Sequence, residues 1–353
     1  MKSFSSVHQD VVLPASASSL EAVHADQPYL IATLKCKDGD TTVHRLANGK
    51  HLISTQPEPG IVIMRRTWET AYPLELIQEI HAIKGIYLCD EIMREEDPRY
   101  VEHFLRHEVL GYVDAAQFAD KRVLDFGCGS GASTVILGRL LPPCDIVGIE
   151  LEENLLAIAR QRAKYSALQR VRFLQSPSED ALPAQLGTFD YIMFNAVFEH
   201  LLPGERRVLL PKIWNLLNPG GILFLNQTPH RYAPIEIHTT GLPLINYLPD
   251  SLALLMARHF SRRVRPDDDW DTMLRAGIRG STVREIMGIL ATYGSPTLLE
   301  PRNSVGDQID LWYGRLSRRH AALKKMIWAA LKVLKKTTGI ELTPELALAI
   351  RKR

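Results

Sequence analysis

The sequence contains only four cysteines, and they are spread along the chain without a paired spacing. Neither a CxxC pair nor a cysteine–histidine cluster occurs, so the pattern argues against a structural zinc site and against a disulfide framework. An excess of one charge is also missing, since the formal net charge is only +2 over 353 residues. The overall charge therefore indicates neither a nucleic acid nor an acidic partner.

Long apolar runs are absent as well. No run of about 18 apolar residues occurs, so a transmembrane helix is not expected. The opening residues, MKSFSSVHQDVVLP, lack the apolar segment of a secretory signal peptide. Apolar residues make up 46% of the chain and charged residues 23%, which are ordinary values for a protein with a sizeable core. We therefore expect a cytoplasmic globular protein.

The first third of the chain predicts a small β module followed by a helical cap. Residues 1–27 are rich in Ser and Ala and predict a loose leader. Short β-type runs, the last of them GIVIMRR, fill a module at 28–70, and Asn48-Gly49 is a strong hairpin signal within it. Over 71–120, apolar residues recur every three or four positions, as in helices. The alternative for the β module is an extension that only covers one edge of the main domain.

From residue 121 to 353 the pattern predicts one large α/β domain. Buried-type strands such as KRVLDF, CDIVGIE and FDYIMFN alternate with helical segments, which favours a parallel, doubly wound sheet. Near the end, PTLLEP and PELALAIRKR have the pattern of two further strands with a helix between them. The expected fold is a Rossmann-like α/β sheet of seven mostly parallel strands with helices on both faces.

A glycine-rich turn, GCGSG at 127–131, follows the first of these strands. Glycines between a strand and a helix let the backbone approach a ligand closely, beside the free N–H groups of the helix. The spacing also satisfies the GxGxxA pattern of a dinucleotide-binding loop. Asp125 separates the two interpretations, because a carboxylate there repels a pyrophosphate and attracts the ammonium group of S-adenosylmethionine. The acid favours S-adenosylmethionine.

Glu150 ends the next strand, 19 residues after Gly131. That spacing suits a carboxylate that accepts hydrogen bonds from both ribose hydroxyls of a nucleoside. Because NAD and S-adenosylmethionine share this ribose, Glu150 supports a nucleoside without distinguishing the two. The alternative role is that of an acid at the N-terminus of the following helix, where it offsets the helix dipole.

Five segments together resemble the class I S-adenosylmethionine-dependent methyltransferases. They are VLDFGCGSGAS, VGIELEENLLAIAR, SPSEDAL, FDYIMFNAVFEHL and LLNPGGILFLNQTP. Their order and spacing match this superfamily over about residues 100–230. They look most similar to the ubiquinone/menaquinone-biosynthesis type and its small-molecule relatives. The resemblance says little about the substrate.

The resemblance implies a set of residues that bind S-adenosylmethionine. Its members are Asp125, Gly127, Gly129, Gly131, Glu150, Leu151, Ser178, Glu179 and Asn195. Asp125 and the glycines would face the methionine end, and Glu150 would hold the ribose. Ser178 and Glu179 would border the adenine, where Pro177 replaces an acidic residue that is common in the family.

The acceptor side is predicted from the residues after the fourth strand. By resemblance, Asn195 ends that strand beside the transferred methyl group. No Asn/Asp-Pro-Pro-Tyr motif follows it, which argues against the amino groups of nucleic-acid bases as acceptors. His200 follows instead, and a histidine has a pKa suited to removing a hydroxyl proton. The alternative is a histidine that caps the next helix or packs under it.

A polar loop within 228–275 is the predicted acceptor site. It contains His230, Arg231 and Glu236 as candidate substrate-binding residues and His238 as a second catalytic candidate. In an open α/β sheet such a loop lies over the cofactor at the carboxyl edge of the strands. Since these residues lack a regular ligand spacing, we predict no metal site. Polar contacts that lock the loop are the alternative to contacts with an acceptor.

Residues 314–338 predict a basic amphipathic helix. Apolar residues at helical spacing form a stripe, Lys and Arg supply charge with no acid between them, and Trp328 lies within the segment. Such a helix favours the surface of an anionic membrane. The alternative is a surface helix whose stripe packs on its own domain. RNA binding is disfavoured because interleaved aromatic residues and a broad basic face are missing.

The predicted function is transfer of a methyl group from S-adenosylmethionine to a small or lipid-linked acceptor, on an oxygen. Alignment would supply most of the catalysis, because the sulfonium already activates the methyl group. One alternative is an NAD(P)-dependent oxidoreductase on a similar fold. The other is a membrane-associated binding protein on a methyltransferase scaffold without turnover. We expect the protein in the cytoplasm or peripherally on a membrane, with no nucleic-acid partner.

Overall fold

The computed structural model describes residues 27–178, 181–184, 186–302, 307–315, 321–339 and 341–353. The chain divides into two compact units. The first consists of Met1–Glu102, Gly129–Ile136 and Glu152–Gln169, and the second of His103–Cys128, Leu137–Leu151 and Arg170–Arg353. Apart from Gln27, the predicted leader lies outside the described residues, and the predicted domain boundaries stay predictions.

The first unit contains a four-stranded antiparallel sheet, which confirms the predicted β module. Its strands pair in sequence order and are β1 (Tyr29–Cys36), β2 (Gly39–Arg45), β3 (His51–Pro57) and β4 (Thr67–Thr70). The strand expected at GIVIMRR is wrong, because β4 begins only at Thr67. The backbone N–H groups of Met64 and Arg65 donate to the Asp90 carboxylate at 2.9 and 2.7 Å. A side chain therefore holds this segment in place of a neighbouring strand.

Helices follow the sheet, in agreement with the predicted apolar spacing. They are α1 (Leu74–Lys84), α2 (Leu88–Glu96), α3 (Val101–Glu108), α4 (Ala132–Leu140) and α5 (Glu153–Tyr165). In the first unit, Ile77 and Ile80 of α1 are completely buried. They belong to one core cluster with Val43 and Ile53 of the sheet and Ile158 of α5. The three-residue spacing thus corresponds to the face that α1 buries.

The second unit contains the predicted seven-stranded sheet. Its strands are β5 (Arg122–Phe126), β6 (Asp145–Glu150), β7 (Val171–Gln175), β8 (Phe189–Asn195), β9 (Leu217–Pro229), β10 (Pro296–Leu298) and β11 (Glu345–Lys352). Their order across the sheet is β10-β11-β9-β8-β5-β6-β7. The five strands from β9 to β7 pair in parallel, whereas β11 is antiparallel to both β9 and β10. The mostly parallel sheet is confirmed.

Within the described ranges of the second unit, further α-helices follow. They are α6 (Pro203–Asn215), α7 (Asp250–Phe260), α8 (Trp270–Arg275), α9 (Val283–Ala291), α10 (Gln308–Arg315) and α11 (Ala321–Thr338). Trp214 of α6 is fully buried in the main core with Phe194 and Leu223 of the sheet. α10 and α11 come between β10 and β11, which confirms the helical insertion. Among the described residues, no helix is both long enough and apolar enough to cross a membrane.

Candidate active site

Three predicted cofactor residues lie at one edge of the large sheet. β5 ends at Phe126, β6 at Glu150 and β8 at Asn195, and these strands are neighbours. Within the ladder, Asp125 pairs with Gly148 on one side and with Met193 on the other. Because the strands are parallel, their carboxyl ends share one edge, which is where ligands bind in open α/β sheets. The structure therefore brings Asp125, Glu150 and Asn195 to the same edge.

The glycine turn leaves β5 in a conformation that only glycine adopts easily. Gly127 has a φ of 69°, in the left-handed region. The backbone N–H groups of Gly127 and Cys128 both donate to the carbonyl of Ile149, at 2.9 and 3.0 Å. A Cβ atom at Gly127 would lie 2.6 Å from Val197 Cγ2. The start of the turn is thus fixed by hydrogen bonds and by close packing.

The remaining glycines of the turn belong to the first unit. Gly129 and Gly131 have φ values of 55° and 83°. A Cβ atom at Gly129 would meet no protein atom within 4 Å. Open space beside such a backbone suits a ligand that approaches the main chain, so this position fits the predicted cofactor.

Ser130, between these glycines, is held by a buried ion-pair network in the first unit. Arg162 is completely buried and donates to the Ser130 carbonyl and hydroxyl, at 3.1 and 2.9 Å. Its guanidinium also pairs with Glu91 at 3.1 Å and with Glu95 at 3.3 Å. The Ser130 hydroxyl in turn donates to Glu91. Nothing in the spacing of this arginine along the sequence indicates that it is buried.

The structure describes some of the contacts that the predicted ribose and adenine residues make. The backbone N–H of Leu151 donates to the Glu150 carboxylate at 2.7 Å, and Gln175 Nε2 donates to the Leu151 carbonyl at 2.9 Å. Ser178 is exposed and forms an isolated bridge with Ala181. Glu179 lies outside the described residues. Roles for these residues in cofactor binding stay predictions.

An amide pair at the ends of β8 and β9 adds an unsatisfied buried donor. Asn226 Nδ2 donates to Asn195 Oδ1 at 3.0 Å. Among the described residues, Asn195 Nδ2 and Asn226 Oδ1 are buried without a hydrogen-bond partner. Buried polar atoms are nearly always bonded, so this pair fits an edge that binds a polar ligand. Asn226 was missed, although an Asn directly after the apolar run GGILFL was a visible signal.

Glu199 is a buried acid that the sequence analysis gave no role. It lies on the short 3₁₀ turn Phe198–His200 after β8, and its side chain is completely buried. One carboxylate oxygen accepts a hydrogen bond from Thr228 Oγ1 at 3.1 Å, while Oε1 has no hydrogen-bond partner among the described residues. Burial raises the pKa of Glu199 to about 8, because a desolvated carboxylate resists ionisation.

His200 is held as a neutral ring. Its Nδ1 lies 2.7 Å from the carbonyl of Arg275, which accepts a hydrogen bond from Nδ1–H, so the neutral ring has its lone pair on Nε2. Nε2 is 3.7 Å from Glu199 Oε1. Burial lowers the pKa of His200, although the bond to the carbonyl opposes this effect. The ring is therefore oriented for basic or ligating chemistry, and the catalytic role predicted for it stays a prediction.

The second catalytic candidate, His238, lies beside His200. Their ring centroids are 5.6 Å apart, and His238 is exposed. A Cβ atom at Gly277 would lie 2.8 Å from His238 Nε2 and 3.3 Å from Glu199 Cγ. The bare backbone of Gly277 thus allows the two side chains to come together. Glu199 and His200 form one cluster in space with His238, which lies 38 residues after His200 in the sequence.

The predicted substrate-binding residues make many contacts within their own loop. The Glu236 carboxylate accepts hydrogen bonds from the backbone N–H groups of His238 and Thr239, both at 2.8 Å, and from the Thr240 hydroxyl at 2.7 Å. Arg231 donates to a backbone carbonyl, and His230 Nδ1 accepts from the backbone N–H of Tyr232 at 3.1 Å. These contacts favour the loop-locking alternative, and acceptor binding by the three residues stays a prediction.

The basic helix differs from its prediction in one respect. Within α11, Lys332 pairs with Asp307 and Asp310 at 2.8 and 2.6 Å, so acids distant in sequence offset part of its charge. Trp328 Nε1 donates to Asp310 at 2.8 Å, which directs the indole toward α10. α11 has no buried side chain, and its large exposed apolar residues are Leu323, Met326, Ile327 and Val333. Residues 316–320 of the predicted segment lie outside the described residues.

Several known proteins are similar to this chain. A family model for a methyltransferase domain matches residues 123–221. The ubiquinone biosynthesis O-methyltransferase of Acinetobacter baumannii (strain ACICU) is 30% identical over 185 residues, which cover 51% of this chain and 72% of that protein. An uncharacterized protein of Synechococcus sp. is 36% identical over 197 residues, and the match covers 54% of this chain but only 44% of that protein. Among solved structures, the mitomycin 7-O-methyltransferase MmcR matches with a TM-score of 0.44 and 12% identity, over 79% of this chain and 60% of that chain.

Proposed function

Since the chain belongs to the class I S-adenosylmethionine-dependent methyltransferases, we propose that it methylates a hydroxyl oxygen of a small acceptor. The enzyme uses S-adenosylmethionine as its cofactor, and the family assignment replaces the oxidoreductase alternative. The observation that carries the choice of oxygen is His200, a neutral ring at the carboxyl edge of the sheet whose Nε2 keeps its lone pair. A similar protein, the Acinetobacter baumannii enzyme, is named as an O-methyltransferase, which supports this choice.

The cofactor residues that we propose are those at the ends of β5, β6 and β8. S-adenosylmethionine supplies a methyl group that its sulfonium has already activated. Asp125 would hold the ammonium group, because opposite charges attract strongly where the protein excludes water. Glu150 would accept from the ribose hydroxyls, and the buried amide nitrogen of Asn195 would gain the acceptor that it lacks. The chain's contribution to rate is then mainly alignment of the two reactants.

His200 is the proposed general base, with His238 beside it. A hydroxyl acceptor must lose its proton as the new oxygen–carbon bond forms. The carbonyl of Arg275 fixes the tautomer of His200, so that Nε2 can take this proton. Arg275 itself is held by a salt bridge to Glu205 at the start of α6. A chain of contacts therefore orients the ring before any acceptor binds.

Cofactor binding by the proposed residues is tested by calorimetry. We expect S-adenosylmethionine and S-adenosylhomocysteine to bind, and NAD not to bind. Asp125→Asn removes the charge with little change of shape, and we expect it to weaken binding at least tenfold. Asp145→Asn is the matched control, since this acid starts β6 at the opposite edge of the sheet. Equal affinities for the two variants would refute the role of Asp125.

The acceptor class is tested by product analysis. Purified enzyme is incubated with S-adenosylmethionine and paired small aromatic acceptors that carry either a hydroxyl or an amino group, and mass spectrometry locates the added methyl. The proposal expects methylation of the hydroxyl compounds, with a rate that falls in His200→Gln. Transfer only to the amino compounds would overturn it. Cofactor binding without any turnover would instead support the inactive-scaffold alternative.

We also propose that α11 lies on an anionic membrane surface, which would suit a lipid-linked acceptor. The supporting observation is its exposed apolar set together with exposed Lys325 and Lys336. Pelleting with phosphatidylserine vesicles, but not with phosphatidylcholine vesicles, is the expected result. Lys325→Gln with Lys336→Gln should reduce pelleting, whereas Lys35→Gln with Lys37→Gln, exposed in the first unit, should not. Equal pelleting with both lipids would remove the membrane proposal.

A further inference from the structure

We propose that Glu199, His200 and His238 form a binding site for a divalent transition-metal ion. One ligand atom from each residue lies within 4.8 Å of the other two. Metal–ligand bonds to imidazole nitrogen and carboxylate oxygen measure about 2.0–2.2 Å, so two atoms on one ion are at most about 4.4 Å apart. The 3.7 Å between His200 Nε2 and Glu199 Oε1 already meets this limit. The pairs that involve His238 lie within 4.8 Å, at most about 0.4 Å beyond this limit.

The atoms that would bind the ion are the ones that the protein leaves without another partner. Glu199 is completely buried, and Oε1 has no hydrogen-bond partner among the described residues while its other oxygen is bonded to Thr228. His200 donates from Nδ1 to a backbone carbonyl, which presents Nε2 as the lone-pair nitrogen. Ligating histidines usually have this second hydrogen bond, since it fixes the ring and its tautomer. His200 therefore has the form that a metal ligand requires, and the unbonded Oε1 of Glu199 can bind an ion when its carboxyl is ionised.

The segments that carry these side chains are tied to one another. Glu236 accepts from the backbone N–H of His238 at 2.8 Å, and Thr239 Oγ1 donates to the carbonyl of Ala276 at 2.9 Å. The loop is thus fixed beside the end of α8, whose last residue, Arg275, holds the His200 ring. Gly277 has a φ of 97°, and a side chain there would collide with His238. The end of α8 thus holds together the two segments that carry the ligand atoms, the turn Phe198–His200 and the loop that contains His238.

The donor set and its burial indicate which ions fit. Two imidazoles and one carboxylate suit zinc, manganese or iron, and they resemble neither a calcium nor a magnesium site built from oxygen atoms. Burial decreases from Glu199 through His200 to His238, so the ion would have positions open toward solvent. Three protein ligands with an open position are typical of sites where an exogenous molecule binds the metal. With an ion present, His200 Nε2 is a ligand, so the base role proposed above applies to the metal-free chain.

Metal binding is measured on the full chain without cofactor or acceptor, so its failure is distinct from a failure of methyl transfer. After chelator treatment, Co²⁺ is titrated and followed by calorimetry and by visible absorption, which reports nitrogen and oxygen coordination. Glu199→Gln keeps the shape of the side chain and removes its charge. Because His238 is exposed, His238→Ala leaves the packing of the buried core unchanged. His259→Ala, an exposed histidine of α7, is the matched control.

The expected result is one Co²⁺ per chain with a characteristic absorption band, and an affinity at least tenfold lower in both Glu199→Gln and His238→Ala. His259→Ala should bind Co²⁺ like the unchanged chain. Zn²⁺ should displace Co²⁺ and remove the band. Absence of binding, or binding that the two cluster substitutions leave unaltered, would overturn the proposal.

Discussion

Removal of the buried charge of Arg162 tests how the first unit holds the glycine turn. Arg162 of α5 has no exposed side-chain surface and pairs with Glu91 at 3.1 Å and with Glu95 at 3.3 Å. It also donates to the backbone carbonyl of Ser130 at 3.1 Å, within the predicted cofactor turn. Arg162→Met keeps an unbranched side chain and deletes the guanidinium. Two buried carboxylates and one carbonyl then lose their common partner.

The expected loss of stability follows from this burial. Breaking a buried ion pair by removing one partner costs about 3–5 kcal/mol, because the remaining charge stays desolvated. Glu91 and Glu95 are only 7% and 2% exposed, so water does not replace the lost partner. The unfolding entropy is roughly 2.1 cal/mol/K per residue. If all 353 residues unfold together, the loss of about 3–5 kcal/mol would therefore lower Tm by about 4–7 °C. If the first unit unfolds in a separate transition, the Tm of that transition would fall further, because fewer residues contribute to its unfolding entropy.

Scanning calorimetry measures this shift, and Arg160→Met provides the control on the same helix. Arg160 pairs with Glu153, but their side chains are 46% and 54% exposed, so water screens the pair and its loss should lower Tm much less. Glu91→Gln added to Arg162→Met should restore part of the stability, because it removes one unpaired charge. We also expect weaker binding of S-adenosylmethionine by Arg162→Met at temperatures where it is folded. Equal Tm values for the Arg162 and Arg160 variants would refute the reasoning.

Three further predictions concern other buried positions. Burial lowers the pKa of His81 to about 4, so the folded state excludes a proton that the unfolded chain binds. The contribution of this histidine to the free energy of unfolding is therefore complete above about pH 6.5 and falls by up to about 3 kcal/mol as the pH drops to 4. His81→Leu should flatten this dependence on pH in thermal melts. Gly127→Ala should lower cofactor affinity at least tenfold in calorimetry, because its Cβ would contact Val197 at 2.6 Å, whereas Gly204→Ala, with open space around it, should not. Glu236→Gln should cost about 1–3 kcal/mol and speed hydrogen exchange at 238–240, since it weakens the bonds that lock this loop; unchanged exchange would contradict the contacts described.

Elements of regular structure were predictable because their signals are local. The alternation of buried strands and helices from residue 121 onward, the glycine turn and the two terminal strands depend on residues a few positions apart. A strand prediction was wrong where a side chain accepts the backbone hydrogen bonds that a neighbouring strand would have accepted. The segment at 60–66, expected as a strand, is held by hydrogen bonds from Met64 and Arg65 to the Asp90 carboxylate.

By itself, the sequence determined the α/β class, the family and the sheet edge that carries the predicted cofactor residues, since each depends on motif order along the chain. Only the tertiary structure showed that Glu199 is fully buried beside His200 and that His238, 38 residues later, joins them. It also decided that Trp328 bonds to Asp310 rather than facing outward on α11. The physical reason is that burial and convergence are set by contacts between segments distant in sequence, which no local spacing encodes.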